Sequence, residues 1–138
     1  MALVIDLKPN ERVIIGDAVI KNDKHRTRLH IEGDTPILRE KDILSEKDAD
    51  TPVKKIYVAI QLMYLSRTPK DIHKLYFDLV KQVQEAAPST IPYIHAINEY
   101  IMRGNYYKAL KAGQELIEYE SELMNHVKWL HKGAQCLW

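Results

Sequence analysis

The hydrophobic period of this chain changes once. Up to Leu44, apolar residues tend to recur at every second position; from Ser45 onward they recur every three or four. Period two fits a strand with one buried face, and a period near 3.6 fits a helix. A chain with one such switch has two kinds of element to pack, in sequence order. It therefore reads as an α+β protein: a small N-terminal antiparallel β module over residues 1–44, then an antiparallel bundle of about four helices over 45–138.

The turns divide the first part into strands. Leu3, Ile5 and Leu7 alternate with Val4 and Asp6, then Lys8-Pro9-Asn10 turns the chain. Arg12 to Ile15 is a second apolar run, Gly16-Asp17 a tight connection, and Ala18 to Lys21 a third strand. After the polar turn Asn22-Asp23-Lys24, Arg26 to Glu32 alternates again. Thr27, Leu29 and Ile31 point one way, and Arg26, Arg28, His30 and Glu32 the other. Pro36 to Arg39 is a short fifth strand or edge. In the second part, Ser45 opens a short turn, and Thr51-Pro52 is a hydroxyl cap with Pro at the first helical position. Ile56 to Leu65 is apolar nearly all round and belongs at the centre of the bundle. Thr68-Pro69 starts a helix with Ile72, Leu75, Tyr76, Leu79 and Val83 on one face, and Pro92 to Met102 forms a shorter one. Gly104 and Asn105 separate this from a long last helix. On it Ala109, Gly113, Leu116, Leu123, Val127 and Leu130 follow near-heptad spacing, interrupted by Glu120.

Composition narrows the function classes. The formal net charge is +1, so a nucleic-acid site must be a local patch and not the whole surface. The single cysteine, Cys136, supports neither an internal disulfide nor a thiolate cluster and fits a reducing cytoplasm. The N-terminus lacks the basic and apolar regions of a secretory signal, and no apolar run is long enough for a membrane span. The six histidines show no helical pair with a nearby Cys or Glu, so no metal or other cofactor is expected. A nucleophile elbow, a phosphate loop and an acidic metal cluster are all missing, so the chain is not expected to be an enzyme.

One basic cluster stands out. Lys21, Lys24, His25, Arg26, Arg28 and His30 fall within ten positions, with Asp23 the one acid among them. Strand geometry spaces Arg26, Arg28 and His30 by about 6–7 Å. That spacing is near that of phosphates on a single strand, and Arg can hold a phosphate with two parallel hydrogen bonds. On these residues alone, a solvated outer face that protects a strand edge is the simpler reading. Arg39 stands at the end of the fifth strand, able to reach a base or to pair with Glu40 or Asp42. All eight tyrosines lie in the helical part, where they serve packing or a protein interface. Trp129 and Trp138 are candidate anchors for the tail.

The succession IIGDAVIKN, RTRLHIEG, PILREKDIL, ADTPVKKIYVAIQLMYL and GNYYKALKAGQELI resembles the flagellum biosynthesis repressor family FlbT, from Leu3 to about Met124. The resemblance implies a cytoplasmic, post-transcriptional regulator of flagellin. It would associate with the 5′ untranslated region of flagellin mRNA, promote its degradation, and act with the flagellin-associated partner FlaF. Some members activate, so the sign of regulation does not transfer with the likeness. The N-terminal module also resembles the carbon storage regulator CsrA, through Val13-Ile14-Ile15-Gly16-Asp17 and through Pro36, Arg39-Glu40 and Ile43. That second likeness implies RNA contact by Arg39 and the Leu3–Ile5 strand edge. Two departures are a shorter Pro36–Arg39 segment and a helical bundle where that family has one short helix.

Two functions are expected to compete. In the first, Arg26, Arg28 and Arg39 touch the mRNA leader, supported by Lys21, Lys24 and His30, while the bundle binds the partner or a second copy. Neither DNA nor membrane is an expected partner. In the second, the chain is a protein–protein adaptor that controls flagellin through the partner and never touches RNA.

Overall fold

A computed structural model describes residues 2–137, with side chains described over 3–126. The chain forms two compact units, residues 1–43 and 44–138. The first holds five strands: β1 (Ala2–Leu7), β2 (Arg12–Ile15), β3 (Ala18–Lys21), β4 (Thr27–Glu32) and β5 (Ile37–Arg39). The second holds four α-helices: α1 (Pro52–Leu65), α2 (His73–Ala86), α3 (Ile91–Met102) and α4 (Tyr106–Leu137). The α+β reading, β module first, is the architecture observed.

The strands make two antiparallel sheets. β1 pairs with β4, and β2 lies between β3 and β5. One face of each sheet packs against the other sheet, and the second sheet also buries Leu38 on its opposite face, across from Ile14. Ile5, Leu7 and Val13 are buried between the two sheets, flanked by Ile15, Leu29, Ile31 and Ile37. Asn10 turns the chain at φ 64°, a conformation Asn tolerates. Gly16 has φ 64° at the first position of the β2–β3 turn, where glycine carries no Cβ penalty. β4 begins at Thr27, one residue later than the alternation predicts, so Arg26 lies in the connection before it.

In the second unit, α1 packs against α2 and α4, and α3 packs against α4. Thr51 caps α1 by accepting from the Lys54 amide at 3.2 Å. Its hydroxyl donates to Glu120 Oε1 at 2.6 Å. This explains the break in the apolar seam of α4: Glu120 receives the cap of another helix. Nearer its start, α4 offers Gly113, where an added Cβ would meet Tyr57 at 3.2 Å and Ile60 at 3.4 Å. The helices approach too closely there for a larger residue.

The stripe predicted for α2 is corrected. Tyr76, Val80 and Val83 are its buried residues, whereas Leu75 is half exposed. A 3₁₀ turn over Pro69–Ile72 precedes α2, and Ile72 and Leu79 are half-buried. The Tyr76 hydroxyl donates to Asn98 Oδ1 at 2.5 Å, and burial raises its pKa from the ordinary value of 10.0. Several other tyrosines also pack inside the unit. Tyr93 stacks on Tyr119 with centroids 4.6 Å apart, and Tyr64 meets Tyr107 at 5.7 Å. The side chains of Val127, Trp129, Leu130 and Cys136, and the whole of Trp138, lie outside the described residues.

Candidate nucleic-acid interface

Strand register decides where each basic side chain goes. On β4, Arg28 stands opposite Asp6 of β1, and His30 opposite Val4. Arg28 Nε donates to Asp6 Oδ1 at 3.1 Å, both side chains being largely exposed. Glu32 shares that outward face. The face expected to be basic therefore carries two acids as well. Cross-strand pairs are the neighbours that matter in a sheet, and no motif within a single strand shows them.

The surplus positive charge lies just before β4. Lys24, His25 and Arg26 are exposed in the connection between β3 and β4, and Lys21 ends β3. Asn22 shapes this connection. Its Nδ2 donates to the carbonyls of Leu7, Lys8 and His25 at 3.2, 2.9 and 2.8 Å. Two hydrogens serve three acceptors, so at least one is shared. Asn22 Oδ1 accepts from the Asp23 amide at 2.9 Å, and the Asp23 carbonyl accepts from the Asn10 amide at 3.0 Å. Thr27 Oγ1 donates to the His25 carbonyl at 3.0 Å. A loop tied at so many points presents Lys24 and Arg26 with less ordering cost than a loose one would.

Arg39 is placed differently from the rest. It lies opposite Val13, so it shares the face of its sheet that carries Val13, Ile15 and Ile37. Nη2 donates to the Asp6 carbonyl at 2.9 Å, which ties β5 to β1 across the two sheets. Nε is buried without a hydrogen-bond partner. Arg39 and Arg28 thus meet at one residue, the first on its carbonyl and the second on its carboxylate. Arg12 pairs with Glu40 at 3.4 Å.

The residues sequence reasoning missed are Asp6 and Asn22. Asp6 reads as an outward polar position on a strand, and Asn22 as an ordinary turn residue. Their roles come from register and from loop closure, which a single sequence does not display. Among the described residues no group of His, Cys, Asp and Glu is arranged to hold a metal ion. No helix among them is long and apolar enough to cross a membrane.

A two-sheet module with a braced basic loop, followed by a helical unit, defines a small two-part α+β protein. The flagellar protein FlbT family profile matches residues 3–124. The chain belongs to the FlbT family. A protein of Bradyrhizobium diazoefficiens named probable flagellum biosynthesis repressor protein FlbT 1 is 47% identical over 136 residues, covering 98% of this chain and 93% of that protein. A probable flagellum biosynthesis repressor FlbT of Rhodopseudomonas palustris is 46% identical over 125 residues, covering 91% of this chain and 99% of its own. The flagellum biosynthesis repressor protein FlbT of Caulobacter vibrioides is 33% identical over 132 residues, covering 92% of each chain. No solved structure matches the chain.

Proposed function

We propose that this chain regulates flagellum biosynthesis, as its named relatives do, by binding the 5′ leader of flagellin mRNA and promoting that message's degradation. The observation that carries the reading is the Asn22-braced loop. It holds Lys24, His25 and Arg26 outward beside Lys21 and Arg28, with Asp23 and Asp6 the nearby acids. A braced cationic loop suits phosphates, which supply most of the affinity in such contacts and make it salt-dependent. His30 borders the patch on the outward face of β4. Arg39 positions β1 and, through Asp6, the Arg28 side chain. Base choice then falls to unstacked bases in the leader. The chain supplies the binding surface and leaves cleavage of the message to another protein.

The test measures binding of the full chain to a labelled flagellin leader at several salt concentrations, alone and with the FlaF-type partner. Lys24→Ala/Arg26→Ala/Arg28→Ala, which leaves Asn22 and Arg39 in place, is the variant. The reading requires a large loss of leader binding and of flagellin control in this folded triple variant. Survival of both would move the RNA contact off the β module.

The adaptor reading has its own support in the helical unit. Val58, Ala59, Leu62, Leu75 and Leu79 of α1 and α2, with Ala49, line a groove of about 240 Å³. Leu62 and Leu75 are 40% and 51% exposed there. An apolar helix face of the FlaF-type partner would fit this groove. Leu62→Asp/Leu75→Asp separates the two readings: loss of flagellin control with leader binding intact favours the adaptor.

A further inference from the structure

Strand β3 is exposed at all four of its positions, with Val19 at 64% and Ile20 at 39%. It is the outer strand of its sheet, paired to β2 on one side only. Proteins usually blunt such an edge with proline, a bulge or charge. β3 carries one charge, Lys21, at its end.

The backbone groups facing the free edge follow from the ladder. Arg12 pairs with Lys21 and Ile15 with Ala18, and the Asn22 amide donates to the Glu11 carbonyl at 2.8 Å. Hydrogen-bonded and non-bonded pairs alternate along an antiparallel ladder. Ala18, Ile20 and Asn22 therefore turn their backbone groups toward β2. Val19 and Lys21 turn theirs outward, and Asp17 ends the tight turn just before the strand.

We propose that a second copy of this chain adds to β3 antiparallel, about a twofold axis at Val19. The two β3–β2–β5 sheets then become one continuous sheet. In this register Val19 lies opposite Val19 of the second copy, and Asp17 lies opposite its Lys21. The symmetry repeats that ion pair at the other end. The facing backbone groups are those the hairpin leaves free. Sliding by two residues keeps the backbone match in one direction but sets Asp17 against Asp23, and in the other sets Asp17 against Val19. Parallel pairing sets Asp17 against Asp17. Of these registers the one centred on Val19 joins opposite charges, and this self-complementarity selects a second copy over an unrelated strand. So short a pairing buries less than a standard interface of about 1,600 Å². The dimer is accordingly weak and concentration-dependent.

Sedimentation equilibrium of the full chain, from micromolar to several hundred micromolar, provides the test. A monomer–dimer equilibrium is expected. Asp17→Lys weakens it by about tenfold, since two facing pairs turn repulsive, and Asp17→Lys/Lys21→Asp restores it. A second measurement needs no charge change. In a Cys136→Ser background, Val19→Cys places two thiols at a Cα separation of about 5.5 Å, within disulfide reach. Mild oxidation gives a covalent dimer, while Ile20→Cys, which faces no copy of itself, gives none. A monomer throughout the concentration range overturns the proposal. So does a dimer that ignores the charge exchange, or cross-linking at position 20 as fast as at 19. The readouts are mass and cross-linking, so these results are independent of RNA binding.

Discussion

Asp6→Asn is the most informative single change at the candidate interface. Asp6 does two separable things: its carbonyl accepts from Arg39 at 2.9 Å and its carboxylate holds Arg28 at 3.1 Å. Asparagine keeps the carbonyl and the side-chain shape but removes the charge. The cost to folding is that of an exposed ion pair, about 0–1 kcal/mol, because the two side chains are 66% and 56% exposed. The effect on RNA has the opposite sign. Arg28 no longer gives up its ion pair to meet a phosphate, which gains up to about 1 kcal/mol, or roughly twofold to fivefold in affinity at low salt. One further cation on a single strand steepens the log–log salt slope by about 0.7. Over a fourfold rise in salt this adds a further loss of about 2.5-fold. Fluorescence anisotropy of a labelled flagellin leader at 50, 100 and 200 mM salt reads both quantities, and Arg28→Ala must move both the other way. If folded Asp6→Asn binds no tighter and keeps the parent slope, Arg28 does not meet phosphate.

Three further outcomes are expected. Asn22→Ala removes the brace of the β3–β4 connection. It destabilises the chain by about 1–3 kcal/mol, and the amides of residues 22–26 exchange faster with deuterium than in the parent. Thr51→Val deletes both the α1 cap and the donor to Glu120, costing about 2 kcal/mol in urea unfolding, whereas Thr51→Ser stays near the parent. Tyr76 keeps its proton in the fold above pH 10, where the unfolded chain releases it. Its contribution is complete below the unfolded value and falls by up to about 1.4 kcal/mol per pH unit above it. Tyr76→Phe lacks that loss, so its stability deficit against the parent narrows between pH 9 and 11.

Local chemistry was easy to read in this chain, and long-range pairing was not. The turns at Asn10 and Gly16, the strands between them and the Thr51-Pro52 helix start each depend on a few adjacent residues. On α2 the spacing finds Tyr76 and Val83, which are buried, but it takes Leu75 for a buried residue and passes over Val80. Packing against the neighbouring helix α1 decides between Leu75 and Val80. Glu120 looked like a defect in a heptad until Thr51, far away in sequence, proved to be its partner. At the candidate interface the basic residues were visible, but their neutralisation was not. Asp6 lies 22 residues from Arg28 in the chain, and only the β1–β4 register brings them together.

Register also explains how a neutral module can carry a local basic patch. Residues 1–43 contain eight acidic and eight basic side chains, so charge count alone argues against nucleic acid. Part of that charge is cancelled in place: Asp6 on β1 takes Arg28, and Glu40, just after β5, takes Arg12. Lys24, His25 and Arg26 sit instead in a connection whose backbone is held by Asn22 and Thr27, with Asp23 beside them. Removing the brace and removing the charge should therefore have different signatures. Asn22→Ala lowers leader affinity through ordering cost and leaves the salt slope unchanged, because the cations remain. Lys24→Ala lowers affinity and flattens the slope by about 0.7. If the two variants instead share one salt dependence, the loop does not act as a preformed phosphate site.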